Sequence, residues 1–193
     1  MQVSEEGRVS CDMRYAAFSS DKTDQKINVV SSTSTRTRGR SARDTDTDSE
    51  EREATMAVLN SIEPSVRLCT FPKSIVDLNV LVLEDDGSVL AASCVACSIA
   101  LANAGIEVFD LVSACCVAKV NGALVVDPTA EEEKMATGGL VVGMMPSLNE
   151  ITQLYQFGEL SQDDITNALV LCGDGCAQIY KLMKENLIES QSK

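Results

Sequence analysis

The sequence predicts an α+β sandwich in one domain, on three observations. Val9, Cys11, Met13 and Tyr15 alternate with Ser10, Asp12 and Arg14, the period-two signature of a half-buried strand. Asn121-Gly122 stands between two apolar runs, the strongest short signal for a β-hairpin. The elements then follow as strand, loop, helix, strand, helix, four strands and a last helix, which groups most of the strands together instead of alternating them with helices.

Residues 1–18 carry the first strand. Residues 19–46 turn polar and rich in Ser, Thr, Asp and Arg, too long for a structureless loop in a compact domain, so disorder or a functional loop is expected there. The remainder of the domain spans 47–188, with 189–193 as a tail. Thr47-Asp48-Ser49-Glu50 has the form of a capping box, and Ala54, Ala57, Val58, Ser61 and Ile62 recur at helical spacing until Pro64. Residues 75–83 read as a strand closed by a turn at 84–87. Residues 88–104 are nearly all small or apolar and stop at Gly105, which fits a helix buried on most sides. Strands at 111–120 and 123–127 flank the hairpin turn; 140–145 and 151–157 form a further pair. The last helix starts at Ser161 and presents Ile165, Ala168, Leu169, Cys172, Cys176, Ile179, Leu182 and Met183.

Composition excludes several chemistries. There is no His among 193 residues, which removes Ser-His-Asp and Cys-His nucleophiles and His-ligated zinc. No apolar run spans a bilayer and the N-terminus lacks the layout of a secretion signal, so a soluble chain is expected. The net charge of −13 is uneven: residues 1–43 hold 8 Lys/Arg against 5 Asp/Glu, residues 44–193 hold 8 against 24. Such a body repels phosphate backbones unless a local basic patch faces them. The one candidate is Arg36, Arg38, Arg40 and Arg43, four arginines within eight residues; its bland alternative is a basic linker partly neutralised by Asp44, Asp46 and Asp48. Eight cysteines without a secretion signal suggest a reducing compartment. Cys94/Cys97 and Cys172/Cys176 could be halves of a four-thiolate zinc site, but each pair lies in a helix-like run of small residues, and packing as small hydrophobes is the preferred reading.

The stretch Ala100-Leu101-Ala102-Asn103-Ala104-Gly105-Ile106, the exit Asp110-Leu111-Val112, the Asn-Gly hairpin and Asp127-Pro128 with its trailing acids together resemble the RNase PH family. Within it they resemble the ring subunits of the eukaryotic RNA exosome, of the mRNA transport regulator type. Residues 7–11, 70–74 and 145–154 support the match, which runs from about 7 to about 187. The resemblance implies an RNase PH-like (ribosomal protein domain-2-like) sandwich. Family members begin with a strand hairpin, including a Gly-Pro-Arg element, ahead of the segment that starts here at Gly7. On that comparison the first strands are missing, as in a truncated isoform or incomplete gene model.

Active members of that family cleave RNA at its 3′ end by phosphorolysis, which needs cationic donors for phosphate and carboxylates for metal or proton work. By resemblance, the phosphate-binding arginine falls at Leu90 in Gly87-Ser88-Val89-Leu90-Ala91, and the two catalytic aspartates fall at Glu133 and Gly139. Leu90 offers phosphate no donor, Glu133 keeps a carboxylate on a longer arm and Gly139 keeps none. The resemblance therefore implies a non-catalytic structural subunit of the exosome core ring. No metal or other cofactor is expected. Its expected partners are other RNase PH-like ring subunits, RNA-binding cap subunits and RNA threaded through the ring, with no membrane or DNA. Its expected places are nucleus and nucleolus, and also cytoplasm. The alternative is an active phosphorolytic 3′-to-5′ exoribonuclease using Glu131, Glu132 and Glu133, a run read here as a solvated acidic loop.

Overall fold

The structure, a computed structural model, describes residues 7–16, 18–19 and 42–191, with backbone alone for 42–50 and 191. Its order is β1 (Arg8–Tyr15), α1 (Ala42–Ile62), β2 (Ile75–Val82), α2 (Val89–Asn103), β3 (Ser113–Val120), β4 (Ala123–Val126), α3 (Ala130–Met135), β5 (Ala136–Met145), β6 (Glu150–Gly158) and α4 (Gln162–Gln191). These pack as four layers: a β1–β2 sheet, the pair α1 and α2, a second sheet ordered β4-β3-β5-β6, and α4 outside it.

In the first sheet β1 and β2 run parallel, Arg8 opposite Ile75 through to Tyr15 opposite Val82. A parallel pair needs a crossover, and α1 lies within it. The alternation read from sequence sends Val9 and Met13 inward to meet Leu78 and Val82, while Arg8, Asp12 and Arg14 face out. α1 buries Ala57, Val58, Ser61 and Ile62, then gives way to a 3-10 turn, Glu63–Ser65, where Pro64 removes a helical donor. The Ser65 hydroxyl donates to the Ile62 carbonyl at 2.7 Å, and Val66 bridges Val108 just beyond α2.

α2 lies between the two sheets and buries Ala91, Ser93, Cys94, Cys97, Ser98 and Leu101. Small side chains let it approach both sheets at once. β3 is buried at every position but Lys119, because α2 covers one face and α4 the other. Asn121 and Gly122 take φ of 50° and 84°, the left-handed pair that a two-residue hairpin needs. α4 packs Cys172 and Cys176 onto the second sheet, where their thiols lie 3.7 Å from the Cys115 and Ser113 carbonyls. A Cβ at Gly175 would stand 2.7 Å from the Cys115 sulfur, so this glycine sets how closely α4 approaches. Tyr180 on α4 donates to Asp110 at 2.8 Å, and the other Asp110 oxygen accepts the Ser147 N–H, tying the helix to the β5–β6 turn.

Several elements differ from the sequence expectation. α1 starts at Ala42, not 47, so residues 42–46 of the expected polar loop are helical backbone; residues 20–41 lie outside the described residues. α4 continues to Gln191, through part of the expected tail. Its expected face includes Leu182, which is 58% exposed while Met183 is buried. The expected acidic loop at 131–133 is instead the helix α3.

Leu140 is fully buried between β5 and α4. Leu140→Ala is expected to cost about 2–5 kcal/mol, lost transfer energy plus cavity, read as a shifted urea midpoint at unchanged slope.

Candidate functional site

The entry to α2 and the short helix α3 form one constellation. Gly87 has a φ of 94°, and a Cβ there would meet the Pro128 carbonyl oxygen at 2.4 Å. Ser88 follows, also with positive φ (53°), and is buried. Its hydroxyl donates to the Pro128 carbonyl at 3.2 Å, and its N–H donates to Glu133 Oε1 at 2.8 Å. The Ala130 N–H returns a bond to the Asp86 carbonyl at 2.8 Å.

α3 forms because Thr129 and Glu132 make a capping box, the Thr129 side chain accepting from the Glu132 N–H while Glu132 accepts the Thr129 N–H at 2.8 Å. That fixes three different fates for the acidic run. Glu131 faces solvent, Glu132 holds the cap, and Glu133, half-buried, turns back to Ser88. The run is therefore not a solvated loop.

Electrostatics at this point are acidic throughout. Burial pushes the Glu133 carboxyl above its ordinary range, with Asp85 and Asp127 adding to the rise and the Ser88 N–H opposing it. Beneath it the Cys116 thiol is pushed up to about 12, first by burial and then by Glu133. Among the described residues no cation figures among the groups acting on Glu133. Leu90, in the first turn of α2, is partly buried against the main core and supplies no donor.

Gly139 sits on β5 between Ala118 and Phe157. A Cβ at this glycine would stand 2.2 Å from the Phe157 ring, so the aromatic side chain occupies the space that an aspartate would need. The structure thus brings Glu133 to the turn that leads to Leu90, and fills the third position with packing. Ser88, Asp85 and Phe157 belong to this neighbourhood and were assigned no role from the sequence, while Asp127, which helped carry the resemblance, joins them as a charge acting on Glu133. The Asp-Gly turn at 86–87 pointed to Ser88; Phe157 becomes visible only once strand register is known.

Of the other candidates, Arg36, Arg38 and Arg40 lie outside the described residues, and of Arg43 only the backbone is described, in α1. Cys94, Cys97, Cys172 and Cys176 are all buried in the two cores. Among the described residues no group of three or more Cys, Asp or Glu is placed to hold a metal ion, and no helix is long and apolar enough to cross a membrane.

Two outcomes follow from this geometry. Because Glu133 holds its proton to higher pH in the folded state than in the unfolded chain, its contribution to stability falls as pH rises through the window between the two values. Glu133→Gln keeps the acceptor for Ser88 and removes the titration, so the variant should gain on the wild type as pH rises upward from the ordinary glutamate range in urea unfolding. Gly139→Asp should cost about 1–3 kcal/mol by overpacking against Phe157, and less in a Phe157→Leu background, measured by the same method.

Comparison with known proteins adds the family. Residues 2–107 match the model of the 3′ exoribonuclease family, domain 1, and residues 110–171 match its domain 2. The chain is 37% identical over 144 residues to the human exosome complex component MTR3, an alignment covering 72% of this chain and 53% of that protein. It is 36% identical over 137 residues to the exosome complex component Rrp41 of Cenarchaeum symbiosum, covering 71% and 56%. It is 32% identical over 192 residues to the exosome complex component RRP41-like of Arabidopsis thaliana, covering 100% and 66%. The chain thus spans about half the length of the first two relatives. The crystal structure of rice (Oryza sativa) Rrp46 has the same fold, with a TM-score of 0.72 at 18% identity over 95% of this chain and 74% of that one.

Proposed function

The chain belongs to the 3′ exoribonuclease family of RNase PH-type proteins, and from that premise we propose that it is a non-catalytic structural subunit of the RNA exosome core ring. In this reading it supports 3′-to-5′ RNA processing and degradation without performing it. One observation carries the proposal: where phosphate would have to be held, Leu90 turns to the core and the Ser88 N–H is taken by the chain's own Glu133. A nucleophilic phosphate needs cationic or N–H donors aimed at it, and here it would meet Glu133, Asp85 and Asp127 instead. Packing around Phe157 leaves the second acid no room at Gly139. The relatives named as exosome complex components support the assembly part of the reading.

The proposed partners are other RNase PH-like ring subunits and RNA-binding cap subunits, with RNA passing through the ring. The arginines at 36, 38, 40 and 43 are the proposed point of RNA contact, since they are the chain's densest positive charge. The proposed places of action are nucleus and nucleolus, and also cytoplasm.

A second reading, an active phosphorolytic 3′-to-5′ exoribonuclease, is favoured by one observation: the half-buried Glu133 with its raised pKa lies at the helix entry, as a proton-transfer group would. The two are separated by incubating the chain, alone and in complex with RNase PH-like partners, with RNA and inorganic phosphate. The structural reading expects no release of nucleoside diphosphates attributable to this chain, and none from Leu90→Arg alone. Release that disappears in Glu133→Gln would overturn it in favour of the enzyme.

A further inference from the structure

We propose that the outer edge of β6 docks an extended strand from another protein chain, apolar or neutral along its middle and basic at both ends. The inference rests on the assembly reading above and names a surface through which it operates.

β6 ends the β4-β3-β5-β6 sheet, and its outer edge has no partner strand among the described residues. It is nine residues long, and between Glu150 and Gly158 it contains no Lys, Arg or Pro. Natural edge strands are usually guarded by such residues, because an unguarded row of N–H and C=O groups recruits another strand. Apolar side chains stand beside the edge on both faces. α4 packs mainly on β3, β5 and β4, so β6 lies beyond its cover and Leu154 remains 47% exposed. On the opposite face α1 leans over the strand, with the Ser61 and Thr152 hydroxyls 3.4 Å apart. There Met56, Gln153 and Tyr155 line a groove of about 360 Å³ with Arg52 and Glu53 among its walls. A strand added at this edge would draw affinity from main-chain hydrogen bonds and lay alternate side chains over Leu154 and into the groove.

Charge decides the occupant. Glu150 opens the strand and Glu159 follows it, and neither has an ion-pair partner among the described residues. A second copy would set acid against acid: antiparallel pairing brings Glu150 beside Glu159 of the copy, and parallel pairing brings each glutamate beside its equivalent. Both arrangements also join two bodies of net charge −13. A strand carrying Lys or Arg at its ends meets the glutamates favourably.

The test co-expresses the full chain with the RNase PH-domain chains of its source organism and follows amide hydrogen exchange. In the purified complex, alternate β6 amides should exchange at least about tenfold more slowly than in the free chain. Leu154→Lys and, separately, Glu150→Lys with Glu159→Lys should each weaken association about tenfold or more while the melting temperature of the free chain holds. A complex that forms with β6 amides still unprotected overturns the edge proposal and leaves the assembly reading standing. Protection that deepens with concentration of the chain alone overturns it in favour of a second copy. Failure of any complex to form overturns the assembly reading, and the edge proposal with it.

Discussion

A helix held between two sheets must carry small side chains on the faces it buries, and that constraint on α2 governs the rest of the molecule. Its buried positions are Ala, Ser, Cys and a single Leu, so its axis can approach β2 on one side and β3 and β5 on the other. The chain must also enter this helix from a tight turn: Gly87 lies against the Pro128 carbonyl and Ser88 is buried in a left-handed conformation. A buried N–H at such a turn needs an acceptor, and leaving it unmet would cost roughly 1–3 kcal/mol. Glu133 meets that need. Its retention therefore has a structural cause that operates whether or not any chemistry occurs nearby.

The same logic extends to the other positions by which the family resemblance assigns catalysis. Leu90 joins the apolar surface around the main core, and Phe157 fills the space beside Gly139. Leu90, Glu133 and Phe157 thus each serve the packing or the hydrogen bonding of the fold. The local field moves in the same direction. Asp85 and Asp127 add to the cost of ionising Glu133, and a phosphate brought to this place would meet acidic groups.

How much of this was legible in the sequence depended on whether the signal was local and periodic. β1, the hairpin and α2 were legible because alternation, Asn-Gly and a small-residue run each have a direct geometric meaning. α1 begins earlier than expected because residues 42–46 are all polar or small and show no apolar period, so nothing marks that stretch as helix. α3 was missed because six residues are too few for a helical pattern, although Thr129 and Glu132 stand at capping-box spacing. The contact between Gly139 and Phe157 could not be read at all. It depends on the β5–β6 register, which shifts between Gly143 and Met144, where α1 presses Ser61 within 2.4 Å of a Cβ position at Gly143. Local elements are written in short windows; the site is written in register and in crossings between layers.

The cysteines show the same priority of packing over reactivity. Cys172 and Cys176 sit where a larger side chain would push α4 off the second sheet, and their thiols point at carbonyls of β3 and β5. Burial pushes Cys94 up to about 11 and Cys176 up to about 12, so both remain thiols at neutral pH and lack the thiolate that metal binding or disulfide exchange requires. A weak S–H donor costs less to bury than a hydroxyl and fills nearly the volume of a small aliphatic group, which suits a layer that must stay thin. With few aromatic residues and no histidine, the interior is built almost wholly from small and aliphatic side chains that pack closely. What titrates is carried at the surface, where its net sign is negative, and a body of that sign approaches RNA only through a concentrated basic element or through neighbours that supply the positive charge.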